Sequence, residues 1–101
     1  MVMKMEIIIY GKEGCHTCHE AKDNIGKVIK ENKLEETVNL VFYDVEKDAS
    51  AKAKFIALSP DNKYPVIVMK DSGTGQSSKV RGMAPSVDYV AGYFRQKGYI
   101  Q

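Results

Sequence analysis

Cys15 and Cys18 are the only cysteines in a chain of 101 residues, and they stand three apart in the run Cys15-His16-Thr17-Cys18. Two thiols at that spacing can close into a disulfide and open again, moving two electrons each time. The apolar run Ile7-Ile8-Ile9-Tyr10 precedes them and a segment of helical period follows. The pair is therefore expected where a strand gives way to a helix. A helix N-terminus at that point favours the thiolate, which is the species that reacts. Lys12, His16, His19 and Lys22 crowd the same stretch and add cations around it.

Other chemistries share these residues. Cys15-His16-Thr17-Cys18-His19 satisfies the attachment pattern of a c-type haem. A strand before it and an amphipathic helix after it leave little room for a haem cavity. Two Cys and two His within five residues also fit a zinc or iron–sulfur site. His16 and His19 close a tetrahedron poorly with both thiolates from one helical turn, which leaves a cluster shared between two chains. The plainest alternative is a buried structural disulfide. Against it, Met1-Val2-Met3-Lys4-Met5-Glu6 is short, interrupted by Glu6 and without a small-residue cleavage site, so it does not read as a signal peptide. A cytoplasmic location is expected, and there a lone Cys-x-x-Cys is more often catalytic or metal-binding than a staple.

Composition narrows the rest. Residues 1–101 are expected to form a single small domain, long enough for one core without structural disulfides. Hydrophobic residues are 44% and charged residues 28%, the balance of a soluble globular chain. A net charge of +2 is too small to argue for nucleic acid or an anionic membrane. No apolar run approaches the ~20 residues of a membrane span.

The elements that must carry the cysteines follow from periodicity and punctuation. Met5 to Tyr10 reads as a buried strand, nearly all apolar and closed by Gly11. Gly11-Lys12-Glu13-Gly14 is a loop. From Cys15, residues Cys18, Ala21, Ile25, Val28 and Ile29 fall on one helical face, and Asn32 and Lys33 end the helix. Val38 to Asp44 is a second strand. Asp48 is the expected N-cap of a helix through Leu58, with Ala51, Phe55 and Leu58 inward. Ser59-Pro60-Asp61-Asn62 is a turn by composition. Val66 to Met69 is a third strand, Asp71 to Ser78 a hairpin loop and Lys79 to Arg81 a fourth strand. Pro85 suits the first position of a last helix whose inner stripe is Val87, Val90, Ala91 and Phe94. The order β-α-β-α-β-β-α implies an α/β fold: a four-stranded mixed sheet, its first two strands parallel, with helices on both faces.

Landmarks in this order resemble the glutaredoxin branch of the thioredoxin-fold family. Tyr10-Gly11-Lys12-Glu13-Gly14-Cys15 is similar to that family's strand end, with a lysine three residues before the first cysteine. Tyr64-Pro65-Val66 falls where the family carries a cis-proline, and Gly82-Met83-Ala84-Pro85 where it enters the last helix. Thioredoxin proper fits less well, since its cysteine pair follows a tryptophan and this chain has none. The Cys-Pro-Tyr-Cys of glutathione-using members is absent, as is their Gly-Gly followed by Asp. Cys18-His19-Glu20-Ala21-Lys22 and Gly82-Met83-Ala84-Pro85 look closer to the glutaredoxin-like electron donors of ribonucleotide reductase.

The resemblance implies a glutaredoxin-like thiol–disulfide oxidoreductase that reduces protein or small-molecule disulfides in electron transport and cell redox homeostasis. Cys15 would be the exposed nucleophile and Cys18 the resolving thiol. Lys12 and His16 would supply positive charge, and Tyr64, before a cis-Pro65, would pair with substrate backbone. Amides near Gly82 and Met83 would meet an anionic end of a ligand. Expected partners are a disulfide-containing protein and, as reductant, either glutathione or a thioredoxin reductase-type flavoenzyme. No tightly bound cofactor is expected, and a monomer is. The competing class is a thioredoxin-fold module that holds a metal or iron–sulfur cluster without turnover.

Overall fold

Apolar residues at alternate positions on the central strands are buried on both sides, and this sets the architecture. The structure, a computed structural model, describes residues 4–100. Met1, Val2 and Met3 of the N-terminal segment, and Gln101 at the end of the expected 1–101 domain, lie outside the described residues. The elements run β1 (Met5–Gly11), α1 (His16–Glu31), β2 (Val38–Asp44), α2 (Ala49–Leu58), β3 (Val66–Asp71), β4 (Ser77–Arg81) and α3 (Val87–Gln96). They form one four-stranded sheet in the order β2-β1-β3-β4. β1 and β2 are parallel, with Met5 opposite Val38 and Gly11 opposite Asp44. β1 is antiparallel to β3, and β3 to β4.

Met5, Ile7 and Ile9 of β1 and Ile67 and Met69 of β3 face α1 and α3, packing on Ile25, Val28, Val90 and Phe94. The intervening Tyr10 and Val66 face the other way, against Ala51 and Phe55 of α2. This is the period-two consequence of the pleat, with both faces covered. Full burial of one such side chain contributes roughly 1.5–3 kcal/mol.

Element boundaries differ from expectation at several ends. Cys15 is the N-cap of α1 rather than its first helical residue. Asp48 caps α2 as expected, its carboxylate accepting the Ala51 N–H. β3 runs on to Asp71 and β4 begins at Ser77, so the hairpin loop is shorter than its polar composition suggests. Pairing decides this, because Met69 meets Ser78 and Lys70 meets Ser77 whatever their propensities. Pro85 is not the first residue of the last helix. Ser86 is the N-cap, accepting the Tyr89 N–H at 3.1 Å, and Pro85 stands one residue before it. A side-chain acceptor at the cap outweighs the preference of proline for the first turn.

Two positions fix how the ends of the sheet are held. Gly11 closes β1 beneath the first turn of α1. A Cβ there would lie 2.9 Å from each of Cys18 Cβ, Cys18 Sγ and Phe42 Cζ. Only glycine allows this approach. At the opposite end, Asp71 Oδ1 accepts the N–H groups of Gly73 at 2.8 Å and Thr74 at 3.3 Å, and Oδ2 accepts the Tyr99 hydroxyl at 3.3 Å. The Gly73 amide, aided by Thr74 and Tyr99, outweighs desolvation and holds the Asp71 carboxyl below its ordinary range.

Gly11→Ala is expected to destabilise the fold by about 1–3 kcal/mol, because two packed elements must part. Urea unfolding of the reduced protein measures this, and an unshifted midpoint contradicts the packing argument. For Asp71 the folded-state pKa is the lower one. Its contribution is therefore complete above the unfolded-state pKa and is lost as pH falls through the folded-state value. Asp71→Asn should lower stability at neutral pH and flatten the acid limb of the stability curve. An acid limb parallel to wild type would exclude Asp71 as its source.

Candidate active site

The loop after β1 delivers Cys15 to the end of α1 with extended backbone, φ −99° and ψ 104°. Its Sγ takes the place of the oxygen that usually caps a helix and accepts the Cys18 N–H at 3.1 Å. The two cysteines are joined in a disulfide across a Cα–Cα separation of 5.3 Å. Their exposures differ. Cys15 is half-buried, while Cys18 is 0% exposed, sealed between α1 and the end of β1. An incoming sulfur can reach Cys15 and cannot reach Cys18.

The loop itself is tied down on several sides. The Cys15 N–H donates to the Lys12 carbonyl at 3.2 Å, and the Val45 N–H to the Gly11 carbonyl at 2.9 Å. His19 Nε2 lies 2.8 Å from the Glu13 carbonyl, so it is the protonated nitrogen that donates. The His19 ring stacks on Phe42, with centroids 5.4 Å apart, and Lys22 Nζ sits 5.7 Å from the same ring. His19 thus holds the loop, a role its sequence position does not disclose. His16, the first residue of α1, is exposed. Among the described residues, no three His, Cys, Asp or Glu side chains gather to hold a metal.

Antiparallel pairing of Tyr10 with Val66 sets the segment before β3 beside the end of β1. The Tyr64–Pro65 peptide is cis, as the resemblance implies, and Pro65 is buried. Tyr64 stacks on Phe55 with centroids 4.3 Å apart. Lys12 Nζ stands over the Tyr64 ring, 4.5 Å from its centroid. Burial, then the nearby Glu46 and Asp44, push the Tyr64 hydroxyl pKa up, so the ring is neutral at physiological pH. Among the described residues, neither the N–H nor the C=O of Tyr64 has a hydrogen-bond partner.

The Gly82 N–H donates to the Pro65 carbonyl at 2.9 Å, with Gly82 at φ 73°. This corrects one expectation: the Gly82 amide is already committed and does not await an anion. Met83 is 57% exposed and Tyr89 53%. With Val80, Ala84, Pro85 and Ser86 they line an open, mainly apolar groove of about 270 Å³ at the start of α3. The Asn24 side-chain amide donates to the Pro85 carbonyl at 3.0 Å and ties this entry to α1.

Sequence reasoning missed Gly11 and Phe42 as walls of the dithiol, and it read Ser59-Pro60-Asp61-Asn62 only as a turn. The signal in that turn is a serine and an aspartate two apart. Its partner, Arg81, comes twenty residues later and only strand pairing brings it close.

A family model described as "Glutaredoxin-like domain (DUF836)" matches residues 6–83, from β1 through the loop after β4. No curated protein sequence matches the chain. Among solved structures, a chloroplastic thioredoxin z superposes with a TM-score of 0.71 at 16% identity, covering 92% of this chain and 77% of that one. Thioredoxin-2 of a malaria parasite gives 0.69 at 15% identity, covering 95% and 85%. The oxidised thioredoxin of Plasmodium falciparum gives 0.63 at 10% identity, covering 94% and 82%. At these identities the likeness speaks for the fold alone, which is thioredoxin-like. A joined Cys15–Cys18 pair in that fold supports a thiol–disulfide redox role. The family model spans most of the chain, and on that ground the chain belongs to the glutaredoxin-like domain family.

Proposed function

We propose that this chain is a cytoplasmic, monomeric thiol–disulfide oxidoreductase that reduces protein disulfides. One observation carries the reading: a half-buried Cys15 Sγ at the cap of α1, with Cys18 wholly buried behind it. In the reduced state the Cys15 thiolate accepts the Cys18 N–H and faces the positive end of α1. It attacks one sulfur of a substrate disulfide. A Cys15–substrate bond forms, the substrate S–S bond breaks and one substrate thiolate leaves. Cys18 loses its proton and attacks Cys15 Sγ. The second substrate thiolate departs, and the Cys15–Cys18 disulfide holds the oxidation. Two electrons have passed from the dithiol to the substrate.

During the mixed-disulfide stage, Tyr64 offers an unpartnered N–H and C=O to an extended substrate segment. Lys12 lies over the Tyr64 ring, His16 follows Cys15 in α1, and Met83 follows the Gly82 that holds Pro65. Ribonucleotide reductase is one substrate consistent with the resemblance at Cys18-His19-Glu20-Ala21-Lys22. A thioredoxin reductase-type flavoenzyme is the favoured reductant. Glutathione would need donors for its γ-glutamyl carboxylate, yet the Gly82 N–H is taken by Pro65 and Pro85 has no N–H, which leaves the Met83 amide at this end.

Cys18→Ser is expected to trap a mixed disulfide through Cys15, visible as a shifted band on a non-reducing gel. Cys15→Ser should abolish disulfide reduction. Equal loss in both variants with no trapped partner would refute the assigned roles. The electron source is tested by NADPH consumption with thioredoxin reductase beside glutathione plus glutathione reductase. The unmatched γ-glutamyl end should weaken glutathione binding by on the order of 1–3 kcal/mol, about 5- to 150-fold. Efficient turnover at micromolar glutathione, and none with the flavoenzyme, reverses the assignment of the reductant.

A further inference from the structure

The segment that carries Tyr64 and Pro65 is gripped by a polar cluster outside the dithiol. Ser59 is the one buried polar residue among the described residues, at 0% exposure. It ends α2, where its own N–H donates to the Phe55 carbonyl at 2.8 Å. Its hydroxyl oxygen accepts the Lys63 N–H at 3.1 Å and lies 3.1 Å from the Lys63 carbonyl and 3.2 Å from Asp61 Oδ1. A hydroxyl has one hydrogen, so it donates to one of these two acceptors at a time. Both polar groups of the Lys63 backbone are thus within reach of a single side chain. The Lys63 carbonyl belongs to the peptide whose nitrogen is that of Tyr64.

Arg81 braces this cluster from β4. Its Nη1 donates to Asp61 Oδ1 and lies 3.4 Å from Ser59 Oγ. Two residues earlier on the same face of β4, Lys79 Nζ donates to the Leu58 carbonyl at 3.2 Å. Burial raises the Asp61 pKa, but its own backbone N–H, then Arg81 and Ser59, outweigh this and keep the carboxyl ionised. From the other side, the Gly82 N–H holds the Pro65 carbonyl. Tyr64-Pro65 is therefore fixed just before Tyr64 by Ser59 and just after it by Gly82. Arg81 and Gly82 adjoin, so the last residue of β4 and the one after it serve both grips.

We propose that Ser59, Asp61 and Arg81 are positioning residues that hold the Tyr64 backbone in the register a substrate strand pairs with. The proposal rests on the oxidoreductase reading and adds a specific source of substrate affinity to it. None of the three touches the sulfurs, so they act on recognition and not on the thiolate.

The test compares wild type, Ser59→Ala, Arg81→Met and Arg81→Lys. Readouts are KM and kcat for a peptide disulfide, the rate of Cys15 alkylation by iodoacetamide in the reduced protein, and hydrogen exchange of the Lys63 amide. Ser59→Ala is expected to raise KM about 3- to 10-fold, with alkylation changed less than about 2-fold and exchange at Lys63 accelerated. Arg81→Met should raise KM to a smaller extent, with Arg81→Lys closer to wild type. If Ser59→Ala does not fold, Arg81→Met carries the test alone. An unchanged KM overturns the proposal, as does alkylation that slows in step with the rise in KM. A wild-type protein that reduces no disulfide defeats the oxidoreductase reading instead. In that event the clamp stands or falls on exchange: Lys63 as protected in Ser59→Ala as in wild type overturns it.

Discussion

The first turn of α1 lies so close to the end of β1 that no side chain fits between them, and the site depends on that contact. A Cβ added at Gly11 would lie 2.9 Å from Cys18 and from Phe42. Because nothing stands there, Cys18 is wholly buried against the strand. Because Cys18 is buried three residues into the motif, Cys15 falls at the helix cap, with its sulfur outward and accepting the Cys18 N–H. The missing methyl group lets Cys18, already on the buried face of α1, sit closed against the strand while Cys15 stays part-exposed. A dithiol with both sulfurs exposed would have no built-in order of attack.

Sheet order does the rest of the assembly. β1 lies between β2 and β3, parallel to the first and antiparallel to the second. The chain therefore enters β3 at the edge where it leaves β1, and Pro65 arrives beside the dithiol loop. Antiparallel pairing of Val66 with Arg81 then returns the end of β4 to that edge, together with Gly82 and the start of α3. Segments some fifty residues apart meet without any long-range side-chain motif, since strand direction alone brings them together.

The cations around the site are largely engaged with rings and carboxylates. Lys12 lies over Tyr64, Lys22 over Phe42, and Lys47 pairs with Glu13 at 3.2 Å. Cation–π contacts at exposed sites contribute about 0.5–1 kcal/mol, and the exposed Lys47–Glu13 pair is screened by solvent. These contacts tether the loop, and Lys12 and Lys22 keep their charge over the rings. At Cys15 Sγ the α1 terminus and the Cys18 amide are the partners fixed by the backbone, and they do not depend on side-chain rotamers.

Local chemistry was readable from the chain: the spacing of Cys15 and Cys18, the helical stripe through Ile25 and Ile29, the Asp48 cap and the apolar strands. Each is written in neighbours or near neighbours, where period and propensity act directly. The cis-proline was placed by resemblance and the last helix by its apolar stripe, and the structure carries both. Boundaries moved wherever a partner outvoted composition, as with Ser77 and Ser78 drawn into β4 by Lys70 and Met69, or Ser86 taking the cap that Pro85 was expected to abut from within the helix. Contacts between residues distant in sequence were not written in that local code. Gly11 against Phe42, His19 on the Glu13 carbonyl, the Gly82 amide on Pro65 and Arg81 on Asp61 each require two elements to be docked first. The sequence by itself determined which atoms can react. Only the tertiary structure decided which sulfur is reachable and which amides remain free, because burial and hydrogen-bond commitment arise from packing and not from neighbours along the chain.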